Sequence, residues 1–140
     1  MKKILFVICM FAVEIVSAGE FRCSSFGKNG CTQHINDIVT ERFTSKYPIE
    51  KFQIVAIYDF REYSDGGGVG FAVVGVVPRI RVNSVEITQV PTRRYHATKR
   101  LVGANVGPRQ QAALEIETLR TAVDNLMAEC DRLKDCDLLN

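Results

Sequence analysis

Histidine is scarce here: His34 and His96 are the only two in 140 residues. No Gly-x-Ser-x-Gly, His-Glu-x-x-His or Cys-His signature accompanies them. The usual means of arming a nucleophile with a base, or of closing a metal site, are therefore missing from the sequence. His34 stands ahead of an apolar helical face and reads as an exposed helical residue, while His96 lies in a run of cations. Asp59 and Glu62 are a candidate carboxylate pair, but charged groups at a strand end usually face solvent. The phosphate-binding glycine patterns are lacking too. In "YSDGGGVGFAVVGVV" (63–77), Gly68 and Gly70 are followed by Val73 where a dinucleotide fingerprint needs its third glycine, and no Gly-Lys-Ser/Thr occurs. A phosphate cradle also needs a helix after the glycines, and here a Val-rich strand follows. Asp65-Gly66 supplies turn chemistry instead, so the stretch predicts a hairpin. No Asn-x-Ser/Thr sequon is present, which permits a bacterial origin. No cofactor is expected.

A hydrophobic run long enough to cross a bilayer, roughly 20 residues, is also absent. The N-terminus has a shorter one. Lys2 and Lys3 precede an apolar stretch from Ile4 to Val13, and Val16-Ser17-Ala18 ends in a small residue. That order predicts a secretory signal peptide over 1–18, with no transmembrane segment after cleavage. Taking Lys2, Lys3 and Glu14 from the 18 basic and 16 acidic residues leaves 16 and 15, so the exported chain is nearly neutral. Near-neutrality together with export argues against nucleic acid as a partner. The expected location is the periplasm or the exterior.

Four cysteines remain after cleavage, Cys23, Cys31, Cys130 and Cys136. An even count in an exported chain predicts disulfides. Zinc would call for tighter Cys-x-x-Cys spacing or nearby His. Of the three connectivities, local pairing of Cys23 with Cys31 and of Cys130 with Cys136 closes two short loops. Cys130 has a second option, a bridge to its twin in another copy. Reaching Cys136 requires a helix end between the two, since six helical residues span about 9 Å.

Along the mature chain, Phe21–Gly30 reads as an irregular lead-in. Ile35, Ile38, Val39 and Phe43 then share a helical face, which predicts a helix over 33–46 with Thr32 as N-cap and Pro48 as terminator. "KFQIVAIYDFREY" and "VGFAVVGVV" read as strands. Gly70 and Gly75 in the second place it mid-sheet, with a helix close against one face. "RIRVNSVEITQV" changes phase at Asn83-Ser84, predicting a bulge or a tight turn. Beyond Pro91, "TRRYHATKRLV" has the polarity of an edge strand. The expected fold class is α+β: an N-terminal helix, an antiparallel sheet of about four strands, and a long C-terminal amphipathic helix. The expected divisions are a small α+β domain over 19–102, a linker over 103–108 and the helix over 109–135.

Two segments look available for partners. Arg79, Arg81, Arg93, Arg94, Lys99 and Arg100, interleaved with Tyr95 and His96, make a basic stripe opposed only by Glu86. Such a stripe suits an anionic envelope surface or an acidic protein, or else protects an edge strand by charge. In the last segment, apolar residues recur in steps of four and three at Ala112, Ile116, Leu119, Val123, Leu126, Cys130 and Leu133. That heptad has β-branched residues at a and Leu at d, the pattern of a parallel two-stranded coiled coil. Glu115 and Glu129 at g would meet Arg120 and Lys134 at e. The same ridge also suits packing on the chain's own sheet, and Ala113 and Met127 widen it that way. Pairing with a different protein is the remaining option.

"QIVA" at Gln53–Ala56 is similar to part of the inhibitory loop motif of the cystatins, and a helix followed by an antiparallel meander resembles their architecture. The stretch lacks the closing glycine and falls in a predicted strand, so no function is carried over. The sequence predicts a non-catalytic binding protein of the bacterial cell envelope or exterior, self-associating through its C-terminal helix. The alternatives are an inhibitor or immunity-type protein acting on an enzyme or toxin, and a small secreted hydrolase.

Overall fold

β-branched and aromatic side chains fill two 11-residue strands, β2 (Phe52–Glu62) and β3 (Gly68–Pro78), which pair antiparallel over their whole length. A computed structural model describes residues 21–139 apart from 27, 29, 65, 104 and 105; the expected signal peptide lies outside the described residues. The remaining elements are β1 (Cys23–Ser25), α1 (Thr32–Ile35), α2 (Glu41–Lys46), β4 (Ile80–Val82), β5 (Val85–Ile87), β6 (Tyr95–Leu101) and α3 (Pro108–Arg132). The main sheet has the order β1-β2-β3-β6, and β4 and β5 form a separate two-stranded ribbon. The architecture is mixed α and β, a four-stranded sheet with a long C-terminal helix across one face.

The hairpin expected at residues 63–67 is present. The Tyr63 N–H donates to the Gly67 carbonyl at 2.7 Å, and Gly66 has the positive φ (87°) that glycine tolerates. Asn83 and Ser84 (φ 50° and 67°) make a two-residue turn of the primed kind, so the phase change there is a turn and not a bulge. Among the described residues β6 pairs only with β3, as the edge strand its polarity predicted. β1 was not foreseen: it lies parallel to β2, so the sheet is mixed and not wholly antiparallel. Its three residues carry too little periodicity to read, but the Cys23–Cys31 bond and the buried Phe21 hold them in place.

The single helix expected over 33–46 is two short ones. Thr40 is extended (ψ 154°) and caps α2, its hydroxyl accepting from the Phe43 N–H. Thr32, the expected N-cap, instead accepts from the Cys23 N–H at 2.9 Å and donates to the Cys23 carbonyl. Phe21, Phe43, Tyr47 and Phe52 then stack in a row, each ring centroid 5.1 Å from the next, in the core beside these helices.

α3 begins after Gly107, with Pro108 in its first turn, where a missing N–H costs nothing. Leu119, Val123, Leu126 and Cys130 are fully buried against Ile54, Ala56 and Tyr58 of β2, Ala72, Val74 and Val76 of β3, and Ala97 of β6. This corrects the coiled-coil seam. Four of its seven positions are covered by the chain's own strands; Ile116 and Leu133 are half-buried, and Ala112 is exposed. The cause is geometric: a sheet offers a broader surface than a partner helix. Thr118, Ala122 and Met127 are accordingly buried outside the a and d positions. Gly70 lets the helix approach, since a Cβ there would sit 2.7 Å from the Thr118 hydroxyl.

Three of the four flanking charges, Glu115, Arg120 and Glu129, are also engaged within the chain. Arg120 forks onto both oxygens of Asp37 at 2.7 Å and donates to the His34 carbonyl. Lys28 bridges Glu115 of α3 (2.5 Å) and Asp59 of β2 (3.3 Å), and Glu129 holds Arg132. The helix ends at Arg132, and the turn beyond it lets Cys130 bond Cys136, with Cα atoms 4.2 Å apart. The Tyr47 hydroxyl fixes that turn, donating to the Cys136 carbonyl at 2.8 Å and accepting from the Leu138 N–H at 2.7 Å.

These pairs set an acid limit. The Asp37 carboxyl is held below its ordinary value by the Arg120 bonds, and Glu86 likewise by Arg79. Partial burial works against the shift at Asp59, yet the Phe60 N–H and Lys28 still lower it. A carboxyl depressed in the folded state contributes stability above its unfolded pKa and loses it as pH falls through the folded one. Unfolding midpoints in urea should therefore hold steady near neutrality and decline once pH drops below the ordinary 3.8 and 4.5 of these groups. Asp59→Asn should shrink that decline. An unchanged acid profile in the variant would refute this role.

Candidate binding surface

Strand alternation sorts the basic stripe onto different surfaces. Gly70 faces α3, while a Cβ on Gly75 would meet Pro91 and the Arg93 carbonyl on the opposite side, so odd-numbered β3 residues face away from the helix. In register with them, His96 sits beside Val73, Thr98 beside Phe71 and Arg100 beside Val69. His96, Thr98 and Arg100 thus line the sheet face away from α3, and all three are exposed. Arg94, just before β6, borders the same face and donates from Nε to the Pro91 carbonyl at 3.1 Å. Arg100 lies over the Tyr63 ring, 5.8 Å from its centroid.

The other stripe residues go elsewhere. Arg79 is bonded to Glu86 and to the Ile49 carbonyl, and Glu86 also holds Arg22. Arg81 lies opposite Glu86 in the β4–β5 ribbon and lines a shallow hollow with Glu50 and Arg79. Lys99 points to the helix side and pairs with Glu117. Arg93 donates to the Asp137 carbonyl, and Tyr95 is half-buried, its hydroxyl pKa raised first by burial and then by the charge of Glu129. The structure therefore brings together Arg94, His96 and Arg100 and separates Arg79, Arg81, Arg93, Tyr95 and Lys99 from them.

What the sequence did not point out is an apolar hollow on the same face, bordered by Arg94. Phe26 (47% exposed), Ile57 (44%) and Val90 (61%) lie open, although all three are core-type residues. With Val55, Val73, Pro91 and Arg94 they line a hollow of about 130 Å³. The residues before β6 cover only part of this face, which is why β3 looked buried on both sides. A usable signal was the parity of β2: Ile57 falls out of step with Ile54, Ala56 and Tyr58, which face the helix.

The candidate chemical groups are dispersed. His34 is on α1 with its carbonyl bonded to Arg120, whereas His96 is on the opposite sheet face. Asp59 is taken up by Lys28 and Arg61, and Glu62 is exposed. Gln53–Ala56, the cystatin-like stretch, is a buried part of β2 and not a projecting loop. Among the described residues, no group of three His, Cys, Asp or Glu is placed to hold a metal ion, and no helix is long and apolar enough to cross a membrane. No protein-family model, curated protein or solved structure matches this chain.

Proposed function

We propose that this is an exported, non-catalytic binding protein of the bacterial envelope or exterior, and that it holds an anionic partner on the sheet face away from α3. The observation that carries the reading is the exposure of Phe26, Ile57 and Val90 in a hollow bordered by Arg94, on the same sheet face as His96 and Arg100. Apolar patches rimmed by charge are a mark of interaction surfaces. Two intrachain bridges agree with an oxidising compartment. Self-association through the helical ridge is not part of this proposal, since α3 is already covered.

The test is retention on a polyglutamate matrix and on phosphatidylglycerol vesicles, with phosphatidylcholine vesicles as the neutral control. The protein should be retained on at least one anionic surface and released by salt, as expected for exposed charges. Arg94→Glu combined with Arg100→Glu should abolish retention while leaving the unfolding midpoint nearly unchanged. Retention on neither surface, or retention insensitive to the double variant, would overturn the reading.

A further inference from the structure

The two edges of the main sheet are treated differently. The β1 edge is three residues long, and Thr32 occupies both the N–H and the carbonyl of Cys23 on it. The β6 edge is seven residues long, in unbroken register with β3 from Tyr95↔Val74 to Leu101↔Gly68, and contains no proline. No described strand pairs with its outer side. Natural proteins usually blunt such an edge with a bulge, a proline, a covering element or charge. Of these β6 has chiefly charge, together with one bond from the Asn125 amide to the His96 carbonyl at 3.2 Å.

The sign of that charge selects the occupant. Lys99 is committed to Glu117 on the helix side, so the outer face of β6 presents His96, Thr98 and Arg100. A second copy paired antiparallel about Thr98 would set His96 against Arg100, with no carboxylate on either strand to meet the guanidinium. An acidic strand meets the opposite situation. We infer that the outer edge of β6 accepts an extended, acidic segment of a partner polypeptide as a fifth strand, with alternate carboxylates facing His96 and Arg100. Main-chain bonds along Tyr95–Leu101 supply the attachment and the side chains supply the choice of partner, the mode of strand addition. This rests on the reading of an anionic partner and narrows it to a polypeptide.

The probe is a capped peptide of alternating Glu and Val matching the length of β6. Beside it stand a Lys-for-Glu version and an acidic version N-methylated at its Glu positions, which keeps the charge and removes the main-chain donors that would face β6. The Glu–Val peptide should bind at least about tenfold more tightly than either control. It should also slow amide exchange within Tyr95–Leu101, and Arg100→Glu should remove the preference over the Lys peptide. Equal binding of the N-methylated version, or protection falling on β2 instead of β6, would overturn strand addition while leaving the anionic-partner reading intact. Retention on vesicles without retention on polyglutamate would do the same, by making the partner a lipid surface. Failure of every anionic probe would remove both.

Discussion

Leu126→Ala is expected to lower the unfolding free energy by about 2–5 kcal/mol, the range for deleting a fully buried leucine. Leu126 touches no solvent and sits in the core beneath α3. For a chain of this size the total is about 5–15 kcal/mol, so one truncation removes a large share of it. The loss should be the same at every protein concentration, because the neighbours that cover Leu126 belong to the same chain. Ala112→Ser, at an exposed position of the same heptad, should change stability by no more than about 0.5 kcal/mol. Urea unfolding of the two variants across a dilution series checks both statements. Equal sensitivity at the two positions, or a midpoint that moves with concentration, would mean the ridge is covered by another copy.

The second large effect comes from the bridges. Their sequence separations are 8 and 6, and chain-entropy arguments give about 2.5 kcal/mol for closing loops that short. Replacing Cys130 and Cys136 with alanine should cost about that much, and replacing Cys23 and Cys31 a similar amount. The unfolded-state terms should add, because the closed loops 23–31 and 130–136 do not overlap in sequence. Losing both, about 5 kcal/mol, would bring a domain of ordinary stability close to its unfolding limit. The Cys23–Cys31 pair has a further role, because it carries the loop that brings Thr32 onto the β1 edge. Faster amide exchange at position 23 should therefore accompany replacement of the pair. Denaturation of the two paired variants and the fourfold variant measures these terms; a change below about 0.5 kcal/mol in either pair would show that bridge to be unimportant.

Much of the architecture was legible where a local rule decided the outcome. The turn at Gly66 follows from backbone chemistry, and the polarity of 92–102 from what an edge strand requires. The helix was expected to run to 135 with the partner of Cys130 left open; the bond to Cys136 goes with a helix that ends at Arg132. Reading failed where the partner of a surface had to be known. The steps of four and three in α3 suit a coiled coil and a sheet equally, and the deciding residues, Thr118 and Ala122, lie outside the heptad positions. The break before Thr40 was hidden by apolar residues on both sides that kept the helical period. β1 is a three-residue strand whose pairing depends on Phe21 and a disulfide, both non-local. As for the candidate surface, its cations were visible as a run, but their division between two faces required the register of β6 on β3. Its apolar part required knowing that the segment before β6 covers Gly75 and leaves Ile57 open.

The central claim is that α3 completes the core of its own chain and leaves the opposite sheet face for a partner. Amide hydrogen exchange of the oxidised protein on serial dilution tests it most directly. Residues 116–130 should be among the slowest to exchange, with rates independent of concentration, while His96, Thr98 and Arg100 exchange readily. Protection of α3 that fades on dilution while the sheet stays protected would contradict it.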